Sequence, residues 1–448
     1  MHLSQFKPSE DSMSDTDLSR TLMQGALERA APAVPSRVVP LPQRLVRSIV
    51  LNRLRTLDLP LEMREFGNLV LSSTAVNPCR VWITDTRFWA AIALDGSNGS
   101  GDAYGEGWWT TDDLTGLVRM LARHAEALSR LDGGLGKMLM PVFRLANRAR
   151  RNTKDGAREN IQAHYDLGNA FFRRWLDPTM TYSSAYFATP QTALDQAQVA
   201  KIDRLLDRVE LRAGEHLVEI GTGWGELALR AAERGAQVTT VTISKEQHQF
   251  ATERVVAAGL AGRIDVRLCD YRDLTGTYDK LVSVEMIEAV GREFYPTYFR
   301  TLSTLLKPGG LAAIQAITIR DQLFHKAARE SDFIKRRIFP GCCIPSIEAL
   351  VGAARRHSDL NLVQLEDFGP HYARTLELWR TTLKAQSSEL LALGYDERFQ
   401  RLWEFYLSYC AGGFAERALG VAHLVFAKPG WRAADHEALV GRAAWEVT

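Results

Sequence analysis

The stretch His216-Leu-Val-Glu-Ile-Gly-Thr-Gly-Trp-Gly-Glu-Leu-Ala, residues 216–228, decides the fold. A short apolar run broken by one acid leads straight into three glycines, and a helix-forming series follows. Gly221, Gly223 and Gly225 let the backbone approach a ligand that a Cβ would hold off. A GxGxG alone is a weak signal, so its surroundings must choose between ligands. No GxxxxGK[ST] occurs, which removes the usual phosphate loop. A dinucleotide site would show GxGxxG with an acid near the end of the second strand; here that strand ends in Thr242-Ile-Ser-Lys-Glu-Gln. Glu219, two residues before the first glycine, suits a ligand with an ammonium and a carboxylate. The acid receives the ammonium, and loop N–H groups face the carboxylate.

Outward from this loop, strand-like runs at His216–Ile220, Gln237–Ile243, Ile264–Cys269, Lys280–Val284 and Leu311–Ile317 alternate with helical stretches. The alternation predicts βαβ units: an α/β fold with a mainly parallel sheet, helices on both faces and ligands at the carboxyl ends of the strands. Cys269-Asp270-Tyr271-Arg272-Asp273 follows the third strand, where turn chemistry accounts for Asp270 and Tyr271 as well as ligand binding does. Upstream, residues 1–37 read as a mobile leader. Residues 38–136 read as a small α+β domain, with Leu69-Val-Leu, Arg80-Val-Trp-Ile, Ala91-Ile-Ala-Leu and a helix-like run from Leu114 to Leu128. The glycines of Gly101-Asp-Ala-Tyr-Gly-Glu-Gly-Trp-Trp suggest tight turns. Residues 137–158 are cationic, with Lys137, Arg144, Arg148, Arg150, Arg151, Lys154 and Arg158, and fit either a solvated linker or a segment lying on anionic headgroups.

Length and composition set the outer bounds. The 448 residues call for at least two domains, and 46% hydrophobic with 24% charged residues is a globular composition. A net charge of +2 argues against a chain that coats nucleic acid. No apolar run approaches the roughly 18 to 20 residues that span a bilayer, and the acidic start lacks a secretory pattern, so a cytoplasmic location is expected. Five cysteines without a CxxC suggest neither disulfides nor zinc. The histidines form no i, i+4 pair, so no metal is expected, and neither GxSxG nor HExxH occurs to suggest a hydrolase.

Five further segments bring a resemblance. They are Glu159-Asn-Ile-Gln-Ala-His-Tyr-Asp-Leu-Gly-Asn-Ala-Phe-Phe, Leu176-Asp-Pro-Thr-Met-Thr-Tyr-Ser-Ser-Ala-Tyr-Phe, Val282-Ser-Val-Glu-Met-Ile-Glu-Ala-Val-Gly, Phe339-Pro-Gly-Cys-Cys-Ile-Pro-Ser and Tyr409-Cys-Ala-Gly-Gly-Phe. With the glycine loop they resemble the cyclopropane-fatty-acyl-phospholipid synthases and the related mycolic acid methyltransferases over about residues 155–428. The resemblance implies a Rossmann-like S-adenosylmethionine methyltransferase domain at 159–430, a lid at about 319–376 and a tail at 431–448. It implies methyl transfer to a cis double bond of a phospholipid acyl chain, by an enzyme lying peripherally on the inner face of the membrane. A homodimer and a bound bicarbonate, serving as base, are further family traits.

By position, Tyr182, Gly221, Gly223, Thr242, Ile243, Gln247, Asp270 and Tyr271 correspond to the family's cofactor contacts, beside Glu219 and Gly225 of the loop. Glu288 would orient the bicarbonate, and Tyr372 would reach the same anion. Ser184 stands where the family has cysteine, Gln315 where it has histidine, and Glu285 where a small residue is common. Gln315 cannot shuttle a proton, and a carboxylate at 285 disfavours a neighbouring anion. These departures open the product to a methyl- or methylene-branched chain as well as a cyclopropane. They also leave a lipid-binding scaffold as the rival reading. In the lid, Lys335, Arg336 and Arg337 are expected to face headgroups while the apolar side covers the acyl chain.

Overall fold

Two sheets form where the sequence alternates. The computed structural model describes residues 41–124 and 167–433. The expected leader, the basic segment at 137–158, His164 and residues 434–448 of the tail lie outside the described residues. Among those described, no helix is long and apolar enough to cross a membrane.

Residues 41–124 build α1 (Leu41–Thr56), β1 (Leu61–Glu65), β2 (Asn68–Leu71), β3 (Cys79–Ile83), α2 (Arg87–Gly105), β4 (Trp109–Thr111) and α3 (Leu114–Arg123). The sheet runs β2-β1-β3-β4, with β1 and β3 parallel and the other pairs antiparallel. Leu61, Met63, Val81 and Ile83 point inward at alternate positions, as strand periodicity requires. Trp89 is fully buried, and its indole N–H donates to Glu65 at 2.7 Å. Ala91–Leu94 lies within α2 rather than in a strand.

The second unit holds α4 (Leu194–Arg208), β5 (His216–Ile220), α5 (Glu226–Glu233), β6 (Gln237–Thr242), α6 (Lys245–Ala257), β7 (Ile264–Leu268) and β8 (Tyr278–Val284). It continues through α7 (Tyr295–Leu305), β9 (Leu306–Ile319), α8 (Asp321–Ala327), α9 (Ile347–His357), β10 (Asn361–Asp367), α10 (Gly369–Ala385), α11 (Glu397–Ala415) and β11 (Leu419–Ala427). The sheet order is β10-β11-β9-β8-β5-β6-β7. All five expected strands are present and mutually parallel where paired, and β11 and β10 extend the sheet antiparallel beyond β9. The order reverses beside β5, so the glycine loop opens at the switch point where such sheets bind ligands.

Two expectations need correction. The segment at 319–376 is not one lid, because α9 packs against α7 and β10 is an edge strand of the sheet. The ligand cavity is lined by the segment's first part, from Ile319 to Ile344, and again by Tyr372 and Leu376 of α10, with α9 and β10 between them standing away from it. The glycines at 101 and 105 are not turn residues either; both sit inside α2 and let it close on the other unit. A Cβ on Gly101 would stand 2.5 Å from the Phe333 ring, and one on Gly105 would stand 2.6 Å from Leu402 Cγ. Around this contact Arg401 donates to the carbonyls of Tyr104 and Trp109 at 2.6 and 2.9 Å. One apolar core therefore runs through both units, including Trp89, Trp109, Phe333 and Phe405.

The expected headgroup-facing cations also turn inward. Arg337 pairs with Asp102 through two bonds of 2.8 and 2.7 Å, and Arg336 pairs with Asp95. Lys335 is buried and donates to the carbonyls of Ala327 and Glu330. The two guanidinium pairs tie the segment to α2, and Lys335 braces the segment internally.

Candidate active site

A cavity of about 960 Å³ begins at the glycine loop and runs to the first unit. At one end it is lined by Glu219, Gly221, Gly223, Thr242, Ile243, Gln247, Asp270 and Tyr271. Tyr182, Glu285, Glu288 and Tyr372 line its middle, and Leu61, Met63, Val81, Phe88, Leu114 and Leu117 line the far chamber. Polar groups thus gather at the sheet and the lining beyond it is mainly apolar, with Ser97 and Ser100 among it, a division suited to a ligand with a charged end and a long hydrocarbon.

The loop geometry separates the glycines. Gly223 has φ +52°, and a Cβ there would meet no protein atom within 4 Å, so the space it faces is the cavity itself. Gly221 has φ +100° and faces Met286 at ordinary contact distance. Gly225, expected at the ligand, instead lets α5 approach α6: its Cβ would stand 3.2 Å from the Ala251 methyl. Glu219 accepts from Thr240 Oγ1 at 2.6 Å, and burial pushes its carboxyl up to about 8. Thr242 Oγ1 donates to Gln247 at 2.8 Å, fixing that amide at the start of α6. Asp270 accepts from the backbone N–H and guanidinium of Arg272, so it closes the turn after β7 while lining the cavity. The Tyr271 hydroxyl is buried and finds no hydrogen-bond partner among the described residues.

Deeper in, four segments far apart in sequence meet at one carboxylate. Glu285 Oε1 accepts from the Ser184 backbone N–H at 2.9 Å and from Gln315 Nε2 at 2.8 Å, and Oε2 accepts from the Tyr372 hydroxyl at 2.7 Å. Gln315 is held for this by His423, its cross-strand partner on β11, which meets Gln315 Oε1 through Nε2 at 2.9 Å. An amide oxygen only accepts, so the imidazole carries its proton on Nε2. Burial holds His423 well below the ordinary histidine range, hence neutral. Ser184 and Gln315 therefore stand behind Glu285 and do not line the cavity, contrary to their expected place at a free anion. Glu285 itself has φ +47°, a left-handed conformation costing a residue with a Cβ about 1 to 2 kcal/mol.

The charges around this centre are unequal. Burial raises the Glu285 carboxyl, and the donations from Ser184, Gln315 and Tyr372 and the nearby Lys201 oppose that rise. Glu288 is pushed up to about 8, first by burial and then by the charge of Glu285. Its Oε1 accepts from the Ile317 N–H, while its buried Oε2 has no partner among the described residues. At neutral pH Glu288 is accordingly protonated, while the three donations and Lys201 work against the effect of burial on Glu285 and favour its charged form. Lys201, brought down to about 8 by burial, donates to Ser183 Oγ at 2.6 Å. Neither Lys201 nor His423 was among the expected site residues. Lys201 interrupts the inward stripe of α4 formed with Ala197, Ile202 and Leu205, and that interruption was the available signal.

A family model described as mycolic acid cyclopropane synthetase matches residues 152–424, more than half of the chain. The chain belongs to that family. It is an S-adenosylmethionine-dependent methyltransferase with the Rossmann-like methyltransferase fold. The tuberculostearic acid methyltransferase UfaA1 of Mycobacterium tuberculosis is 43% identical over 337 residues, 74% of this chain and 78% of the relative. The cyclopropane-fatty-acyl-phospholipid synthase of Escherichia coli is 34% identical, covering 78% of this chain and 88% of that protein. Among solved structures, the cyclopropane synthase MmaA2 of Mycobacterium tuberculosis aligns at 32% identity with a TM-score of 0.57, covering 60% of this chain and 98% of that one. Mycolic acid cyclopropane synthase CmaA1, solved with SAH and CTAB, aligns equally well. The residues present fit the family's cofactor, because Gly223 leaves a cradle that a Cβ would fill and Glu219 places an acid at the same end.

Proposed function

We propose that this methyltransferase acts on the double bond of an unsaturated phospholipid acyl chain presented at a membrane surface. The observation that carries the reading is the single cavity joining the glycine loop to an apolar chamber. S-adenosylmethionine, when bound, supplies an electrophilic methyl group. Glu219, whose carboxyl burial raises, would be drawn back to its charged form by the cofactor's ammonium, and Gly221, Gly223, Gln247, Asp270 and Tyr271 line the space that would hold the rest. The apolar chamber holds hydrocarbon and keeps water from the alkene, a poor nucleophile that reacts only when held in line. Burying each methylene of the substrate there contributes about 0.8 kcal/mol, so chain length governs affinity. The wall includes aromatic residues, Tyr182 and Tyr406 among them, whose rings would favour a cation left on the chain.

The test is incubation with vesicles of unsaturated phospholipid and methyl-labelled cofactor, followed by mass and proton spectra of the acyl chains. A mass gain matching one added methyl carbon is expected. Ring protons would identify a cyclopropane, and their absence with a vinylic or branched methyl signal a branched chain. No label in any acyl chain would refute the proposal. The similarity to a tuberculostearic acid methyltransferase supports keeping the branched product open.

A further inference from the structure

The family's bicarbonate does not fit this site. The three donors that would receive an anion, the Ser184 N–H, Gln315 Nε2 and the Tyr372 hydroxyl, are all taken by Glu285. Glu288 Oε2, the polar atom left without a partner nearby among the described residues, belongs to a second carboxyl, and a carboxylate at 285 disfavours a further anion beside it. We propose that the Glu285 carboxylate occupies the anion position itself and is the enzyme's built-in proton acceptor, replacing a diffusible base. This assignment rests on the methyl-transfer reading and deepens it.

Three independent observations agree. Every polar contact made to Glu285 is a donation, which favours the ionised form that a base requires. The carboxylate lines the cavity between the glycine loop and the apolar chamber, where the reacting carbons must lie. The residue is kept in a left-handed conformation that glycine would adopt freely, and strain retained at a cavity wall points to a function for the side chain. His423, Gln315 and Ser184 are then positioning residues: they aim one carboxylate and touch no substrate.

The step balances without another reagent. After methyl transfer the acyl chain carries a cation, formed when the alkene π pair makes the new C–C bond. A C–H bond next to the cation, or on the added methyl, breaks. Its proton goes to a Glu285 oxygen, and its electron pair closes a ring or forms an alkene. Glu285 returns the proton to solvent when product leaves.

Two variants and bicarbonate itself decide the matter. Glu285→Gln keeps size and hydrogen bonding but accepts no proton, so kcat should fall about 10²- to 10⁴-fold with cofactor affinity unchanged. Glu285→Gly relieves the backbone, so it should fold at least as well, and it empties the three-donor nest. That variant should be inactive in bicarbonate-free buffer and regain turnover when bicarbonate is added. Wild-type turnover should be indifferent to bicarbonate, and carbon-13 NMR should detect bicarbonate binding to Glu285→Gly and not to wild type. A wild type that methylates lipid only with bicarbonate present overturns the assignment alone, as does wild-type kcat in Glu285→Gln. A wild type that methylates no acyl chain overturns the methyl-transfer reading and the assignment with it.

Discussion

Replacing Tyr372 by Phe removes one of three donors from Glu285 and leaves the aromatic packing against Phe414 intact. A hydrogen bond to a charged acceptor contributes about 1.5 to 3 kcal/mol. At about 1.4 kcal/mol per pKa unit, its loss raises the Glu285 carboxyl by about one to two pH units. The other groups facing Glu285 stay in place: Lys201 on α4 favours its charge, Glu288 after β8 opposes it, and Gln315 on β9, backed by His423 on β11, is neutral. A proton acceptor works only when ionised, so raising its pKa removes activity from the acid side. The acid limb of the kcat profile should therefore move upward by that amount, and turnover should recover at higher pH. The assay is the rate of labelled methyl incorporation into lipid across the limb, at saturating cofactor and lipid. If the limb stays where it is while kcat falls equally at every pH, Tyr372 acts on the reacting carbons and the reasoning about Glu285 is refuted.

Other outcomes follow from the packing and the loop. Gly101→Leu should destabilise the protein by about 1 to 3 kcal/mol, because the new side chain collides with the buried Phe333 ring; a calorimetric Tm equal to wild type would show that α2 does not rest there. Gly223→Val should weaken cofactor binding about tenfold or more in calorimetric titration while circular dichroism stays unchanged, since a branched side chain fills the cradle. Unaltered affinity would place the cofactor elsewhere. Reversing Arg336 and Arg337 to Glu should lower stability by roughly 1 to 2 kcal/mol for two partly exposed ion pairs and leave vesicle flotation unchanged. Loss of flotation would restore the headgroup role that their pairing with Asp95 and Asp102 argues against.

Much of the second unit was legible because short apolar runs ending in turns carry their own periodicity. His216–Ile220 and its four companions were readable in that way. Strand β10 was not: its residues alternate weakly and lie at an exposed edge, so the pattern merged with the preceding insertion. Strand β11 is a nearly continuous apolar run, and length alone does not separate that from a buried helix segment. At the site, Ser184, Glu285 and Gln315 each stood out as a departure from a familiar motif. Their meeting at one carboxylate was invisible, since residues 184, 285, 315 and 372 come together only through sheet order and the docking of α10. His423 went unnoticed for the same reason, being meaningful only in register with Gln315. The glycines of α2 misled because close helix contact and turn formation leave the same mark in a sequence.

The family match begins at residue 152, yet the far wall of the cavity belongs to residues before 124. The apolar end of the cavity is therefore contributed by a unit outside the family match, docked on it along the α2–α11 seam. If the proposed lipid reading holds, exchanging the small unit for that of a relative would transplant a ruler, altering which acyl chains are accepted and leaving the bond-making step as it was.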